Sequence, residues 1–190
     1  MNIQQYSPKL NLPRTMLIQL IIVFYTTFCF GQKEATIDSL LLELKSEMED
    51  SSRVNVLNEL AWELRISNPG QATSYATKAK KLSAKTDNAS GLLTSLNRLG
   101  VIAFYQKDYL KAKSLYLEIL EGEKKIDNKF GIGRAYNQLG LIYKGIGDIQ
   151  KSILYTKNGL DIFEEINKSN LVAVVATNLG DLYRNIGKFD

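Results

Sequence analysis

The sequence contains no histidine and a single cysteine, Cys29, which lies near the amino terminus. The lack of histidine excludes histidine-based acid–base catalysis, Ser-His and Cys-His nucleophile pairs, and the commonest transition-metal ligand. It also excludes a phospho-accepting histidine on this chain. Because the only thiol lies so early, the rest of the chain can form neither a disulfide nor a redox site. These absences favour a binding role over a catalytic one.

Proline and excess charge are also scarce. The three prolines all precede residue 70, so the rest of the chain can form long helices without interruption. Of the 24 basic residues, Lys9 and Arg14 lie in residues 1–31, which contain no acid, so the remaining chain carries 22 basic and 20 acidic residues. This balance argues against a nucleic-acid surface, and we expect no nucleic-acid partner for this segment.

Residues 1–31 have the features of a secretory signal peptide. Lys9 and Arg14 precede an apolar run at 16–30, which is short for a membrane-spanning helix of about 20 residues. Cys29 and Gly31 fit the small-residue positions −3 and −1, so we expect cleavage after Gly31. The mature chain would then be exported to the periplasm or the extracellular face. The alternatives are a retained anchor and a lipoprotein, and membrane contact would come only from an uncleaved leader or from a segment beyond residue 190.

A short amphipathic segment at 32–50 precedes the main part of the chain. Its apolar residues follow the i, i+3, i+4, i+7 rule of a helix over 34–48. They are Ile37, Leu40, Leu41, Leu44 and Met48. We expect this stripe to pack on the structural unit that follows.

A 40-residue repeat organises the remaining chain. Its clearest mark is leucine followed by glycine at 99–100, 139–140 and 179–180, and Ala61 takes the place of glycine 39 residues before Gly100. Each pair belongs to an apolar set spaced i, i+3, i+4, i+7, which lies on one helical face. Turn residues follow each set, and a second apolar helix follows in the first three units. The units span 51–89, 90–129, 130–169 and 170–190, and the last contains only its first helix.

Small residues recur at one position of the first helix in every unit. A glycine inside a helix costs about 1 kcal/mol relative to alanine, so recurrence in register predicts close helix packing that offsets the cost. Tyrosine follows three places later in two units. The residues predicted to pack between helices are therefore Ala61, Gly100, Gly140, Gly180, Tyr143 and Tyr183.

This pattern resembles the tetratricopeptide repeat. Leu139-Gly140 with Tyr143, the turn at 147–149, and Tyr155 fit one unit of that family. The usual unit has 34 residues, so 40 resembles a subclass with longer helices. Ala103, Thr156 and Gly159 depart from the family pattern at single contacts. The resemblance implies an all-α fold, a right-handed α-solenoid of stacked helix-turn-helix repeats, and the alternative is another helical-hairpin array such as HEAT.

The resemblance also implies that first helices line a concave groove that binds a protein or peptide. Two columns would face it: Asn58, Asn97, Asn137 and Thr177, and then Arg65, Phe104, Lys144 and Arg184. Amide side chains can hydrogen-bond an extended peptide backbone, and cations can hold a carboxylate. The alternative is that the amides bridge adjacent repeats or face solvent, and that the second column is a solvated surface.

We therefore expect an exported scaffold with no enzymatic activity, cofactor or metal site. The alternative is the input region of a bacterial signalling protein, such as a histidine kinase or a transcriptional regulator, whose output domain follows residue 190. The incomplete fourth unit motivates that alternative. In place of a longer protein, the alternative is a homodimer in which the open ends of repeat 4 pair.

Overall fold

A computed structural model describes residues 16, 18–19 and 34–187. The predicted signal peptide and its cleavage after Gly31 lie outside the described residues, except for residues 16 and 18–19, which are helical. The leader and its cleavage therefore stay predictions. Every regular element of the described residues is helical, in agreement with the all-α prediction.

Residues 34–45 are helical and form α1. The remaining helices are α2 (Asp50–Leu64), α3 (Pro69–Lys85), α4 (Ala89–Tyr105), α5 (Tyr109–Lys125), α6 (Lys129–Ile146), α7 (Ile149–Glu165) and α8 (Ser169–Asn185). Each of α2 to α7 packs against the next helix in the chain, and α2 also contacts α4. The result is a right-handed solenoid of helical hairpins α2–α3, α4–α5 and α6–α7, followed by α8.

The turns reveal a regular 20-residue spacing inside the 40-residue repeat. Left-handed backbone conformations occur at Asp87, Lys107, Asp127, Gly147, Asn167 and Gly187. The turns from Asp87 to Asn167 are each followed by the start of a helix. The side chains of Asn68, Asn88, Asp108, Asn128 and Asp148 accept a backbone N–H of the first helical turn. Such capping satisfies donors that the helix leaves unpaired. From Asp87 onward, turns within and between repeats thus share a left-handed residue, whereas the turn before Asn68 has none.

Helix α1 uses the predicted apolar face but is shorter than predicted. Its stripe residues are half-buried while most of their neighbours are exposed, and Ile37 packs against Leu64, Ala72 and Ile102. The helix ends at residue 45 instead of 48. In place of a further turn, the Arg53 side chain donates a hydrogen bond to the Leu44 carbonyl at 3.4 Å.

The small first-helix residues mark close helix contacts in three of the four repeats. Ala61 is buried beside Ala76. A Cβ atom on Gly100 would lie 2.7 Å from Tyr116 Cε2, and one on Gly140 would overlap Thr156 Oγ1. A Cβ on Gly180 would meet no described atom within 4 Å, so the packing role of Gly180 stays a prediction.

The two predicted packing tyrosines have different surroundings. Tyr143 stacks on Tyr155 with ring centroids 5.1 Å apart and an interplanar angle of 8°. Tyr183 is half-buried in α8. The continuous core lies mainly between α4, α5 and α6, where Leu96, Tyr116 and Leu139 are buried together. That core fixes the positions of the side chains considered next.

Candidate functional site

A cavity of about 370 Å³ opens between α4, α5 and α6, and we call it the first cavity. Its wall from α4 includes Thr94, Asn97 and Arg98, and its wall from α6 includes Arg134 and Gln138. Tyr116 and Glu123 of α5 and Asn128 also line it. The polar part of the lining thus includes two guanidinium groups, three amides and one carboxylate.

A second cavity of about 340 Å³ lies one repeat further along, between α6, α7 and α8. Its lining consists of Phe130, Arg134, Asn137, Gln138, Phe163, Leu171, Val174 and Val175. Arg134 and Gln138 line both cavities. The two cavities therefore adjoin at α6 and together form a groove along the first helices.

The structure places the four residues of the predicted asparagine column in different surroundings. Asn97 lines the first cavity and Asn137 the second. Asn58 does not line an open groove, because it is 1% exposed. Thr177 is exposed, and its hydroxyl donates to the Ala173 carbonyl of its own helix at 2.8 Å.

The second helix explains why these amides differ. Tyr116 of α5 donates a hydrogen bond to Asn97 Oδ1 at 2.9 Å. The corresponding positions carry Ala76 and Thr156. Among the described residues, the Asn58 amide and the Asn137 Oδ1 atom are buried without a hydrogen-bond partner. Asparagine thus occupies the same first-helix position in three repeats, but of these three side chains only Asn97 is hydrogen-bonded to the second helix.

Burial raises the pKa of the Tyr116 phenol well above its usual value, although the nearby Arg134 and Arg98 act in the opposite direction. The phenol is 2% exposed and stays protonated as a donor to Asn97. It is therefore a structural group at the base of the first cavity and carries no charge there.

The second predicted column does not form a row of available cations. The Arg65 guanidinium lies 3.7 Å from the centroid of Trp62, and its Nε atom is buried. Phe104 packs edge-on against Tyr109, with centroids 5.7 Å apart. Lys144 and Arg184 are exposed, and Arg184 pairs with Asp181 at 3.0 Å. The role of this column in binding a carboxylate stays a prediction, and Arg65 differs from Lys144 and Arg184 in that its guanidinium packs on Trp62.

Sequence reasoning missed Arg98, Arg134 and Gln138. Arg98 is held in place, with Nε donating to the Asn58 carbonyl at 3.2 Å and a terminal nitrogen 3.1 Å from Glu59 Oε1. Arg134 is exposed, and its guanidinium lies 5.8 Å from the Phe130 centroid. The positions equivalent to Arg134 carry Thr94 and Val174. Because the residue type at this position differs between repeats, an alignment of the repeats does not single out Arg134.

Glu123 is the carboxylate of the first cavity, and α6 fixes it. Asn128 Nδ2 donates to Glu123 Oε2 at 2.8 Å, and the carboxyl group lies against Gly131 in the first turn of α6. A helix amino terminus stabilises a negative charge in this position. Glu123 therefore has its own partners, and Arg134 remains the exposed cation of the groove.

The described part of the chain contains no group of three or more Asp, Glu, Cys or His residues arranged to hold a metal ion. Among the same residues, no helix combines the length and the apolar character needed to cross a membrane.

Residues 91–165 match the family model of the tetratricopeptide repeat, which supports the predicted family for that part of the chain. The chain is 22% identical over 102 residues to the regulatory protein AfsR of Streptomyces coelicolor, covering 54% of this chain and 10% of that protein. The long-repeat subclass stays a prediction.

Solved structures share the fold. A Rap protein complexed with competence and sporulation factor aligns with a TM-score of 0.73 at 19% identity, covering 86% of this chain and 47% of that one. A STAND signal-transduction ATPase with a tetratricopeptide repeat sensor, from Pyrococcus horikoshii, aligns with a TM-score of 0.75 at 20% identity, covering 87% and 26%. This chain thus spans less than half the length of each of these proteins.

Proposed function

We propose that this chain is a non-enzymatic scaffold that binds a protein or peptide partner in the groove along α4, α6 and α8. The observation that carries the proposal is that two adjoining cavities share Arg134 and Gln138. An extended segment lying across α6 would contact both cavities at once. The match of residues 91–165 to the tetratricopeptide repeat supports a scaffold role.

The groove offers groups suited to a peptide backbone. Asn97, Asn137 and Gln138 carry amides, each with donors and an acceptor that can pair with peptide N–H and C=O groups. Arg134 adds an exposed charge that can form a bidentate pair with a carboxylate. Asn97 Oδ1 already accepts a hydrogen bond from Tyr116, and Asn97 lines only the first cavity. Gln138 lines both cavities and is therefore the amide best placed to contact a ligand in both.

Photo-crosslinking tests this proposal. A photoreactive amino acid replaces Gln138 in the groove of the full chain, and in a matched control it replaces Lys157, which is exposed on α7. Both variants are irradiated in envelope extract, and crosslinked products are identified by mass spectrometry. We expect a defined partner from Gln138 alone. Equal products from both positions would contradict binding in the groove.

We propose further that the chain is exported by residues 1–31 and acts in the periplasm or at the extracellular face. The basic residues and apolar run of the leader support this proposal. Mass spectrometry of the amino terminus after expression should find Gln32 as the first residue. A retained Met1 in the envelope fraction would indicate an anchor instead.

A second candidate function is the input region of a signalling protein. The similarity to the regulatory protein AfsR and the fold shared with a STAND protein that has a repeat sensor both favour it. Reading the coding sequence after codon 190 separates the candidates, because an input region requires an output domain in the same reading frame. A homodimer through α8 is a further proposal, which light scattering of the full chain tests.

A further inference from the structure

The two cavities occupy equivalent positions in successive repeats but differ in the share of charged and apolar side chains. Residues 40 apart change from Glu123 to Phe163 and from Arg134 to Val174. The first cavity has three charged lining residues, Arg98, Glu123 and Arg134, whereas the second has Arg134 alone and is lined mainly by apolar side chains. A ligand that crosses α6 would therefore meet two different environments.

Arg134, which borders both cavities, is the available charge of the groove. It is exposed, and no acidic side chain of the described residues forms an ion pair with it. Glu123 is engaged by Asn128 and the amino terminus of α6. Arg98 is engaged by Glu59 and lies 4.6 Å from the Trp62 centroid. An incoming carboxylate would thus pair with Arg134 without displacing an internal partner.

The second cavity has a buried apolar floor and exposed apolar walls. Phe163 and Val175 form the floor, each 1% exposed. Phe130 and Val174 form the walls, and they are 40% and 56% exposed. Clustered exposed apolar side chains over a preformed hollow favour an apolar ligand group, because burial would remove both surfaces from water.

We infer that the groove recognises an extended peptide with two elements, a carboxylate side chain that pairs with Arg134 and an apolar side chain that fills the second cavity. This inference rests on the proposed function. Arg134 lies at the boundary of the two cavities, and an extended chain advances about 3.3 Å per residue. A separation of two or three residues spans about 7–10 Å, which carries the apolar side chain from Arg134 into the second cavity.

Synthetic peptide pools test the inference. Fluorescein-labelled pools with a Gly/Ser background carry Asp or Glu at one position and Leu, Ile or Phe two or three positions away, in both orders. One comparison pool replaces the acids by Asn and Gln, and another replaces the apolar residues by Ser. Fluorescence anisotropy with the full chain should show that each replacement weakens binding by at least about tenfold.

Two variants test the two elements of the peptide separately. Arg134→Gln should abolish the preference for acid over amide and keep the preference for apolar over Ser. Val174→Ser should abolish the preference for apolar over Ser and keep the preference for acid over amide. Both side chains are exposed, so neither change disturbs the core, and circular dichroism confirms the helices. Lys157→Gln on α7 is the control and should leave both preferences intact.

The outcomes distinguish this inference from the proposed function. If a partner crosslinks to Gln138 but the pools bind without preference, the two-element ligand is wrong and the scaffold proposal stands. If the preferences survive in both variants, the assignment to Arg134 and Val174 is wrong. If neither pools nor partners bind, both proposals are overturned.

Discussion

Tyr116 donates its phenolic hydrogen to Asn97 Oδ1 across 2.9 Å, and so joins the second helix of one repeat to the first helix of the same repeat. The same phenol ring lies against Gly100, where a side chain would have collided with it. A single buried tyrosine therefore determines both the close approach of the helices and the orientation of an amide that lines the first cavity.

Replacing Asn97 by alanine should destabilise the chain, because it leaves the buried phenol without its acceptor. Such a loss costs about 1–3 kcal/mol. The control is Asn137→Ala in the next repeat, where Oδ1 has no partner among the described residues, so a smaller loss is expected. Urea unfolding of both variants gives the comparison, and equal losses would show that the Tyr116 hydrogen bond contributes nothing measurable.

Stability should fall at high pH in a way that depends on Tyr116. Burial raises the pKa of this phenol in the folded state, while in the unfolded chain it titrates near its ordinary value of about 10. Below that pH both the folded and the unfolded state bind the proton, so the Tyr116 phenol makes its full contribution to the free energy of unfolding. Above it the unfolded state releases the proton and the folded state keeps it, so the free energy of unfolding decreases. The free energy of unfolding of the Tyr116→Phe variant, measured by urea unfolding, should decline less steeply between about pH 9 and 11 than that of the unmodified chain. Parallel curves for the two proteins would contradict the assignment to Tyr116.

Two glycines at equivalent positions should respond oppositely to alanine. In Gly140→Ala the new Cβ meets Thr156 and lies 3.3 Å from the Ser152 carbonyl oxygen. Overpacking costs about 1–3 kcal/mol, which outweighs the gain of about 1 kcal/mol in helix propensity. In Gly180→Ala, tested in the chain of residues 1–190, the Cβ meets no described atom, so only the gain applies. Thermal unfolding measures both, and a shift of the same sign in both variants would refute the packing difference.

The turns within repeats 2 and 3 allow a reciprocal exchange. Lys107 and Gly147 occupy the same place 40 residues apart, with φ of 60° and 92°. A left-handed conformation costs an ordinary residue roughly 1–2 kcal/mol. Lys107→Gly should therefore raise the free energy of unfolding and Gly147→Lys should lower it, by about 1 kcal/mol each. Denaturant unfolding checks the pair, and a loss in both variants would mean that other contacts of Lys107 decide its stability.

Periodicity predicted the scaffold because helix packing repeats. Small residues and leucines at fixed offsets can lie together only on one face, and the half-buried stripe of α1 and the contact at Gly140 follow from that rule. The end of α1 at residue 45 was not predictable. It depends on Arg53, which reaches back from another helix to the Leu44 carbonyl.

The groove was predicted less well, since its chemistry depends on pairs of helices. Asn58, Asn97 and Asn137 share a column, yet only Asn97 meets a tyrosine on the second helix. Arg134 has no counterpart of its own type in the neighbouring repeats, so an alignment of repeats could not single it out. The charge and hydrophobicity of this groove are thus determined by residues that differ between repeats, and not by residues that recur.

The crosslinking yield from Gln138 relative to Lys157 tests the central claim most directly. Gln138 lines both cavities, whereas Lys157 is exposed on the second-helix face. Binding along α4, α6 and α8 predicts that a defined partner is recovered from Gln138 and not from Lys157, and that Arg134→Gln reduces its yield. Recovery of the same partner in equal yield from Lys157, unaffected by Arg134→Gln, would contradict the claim.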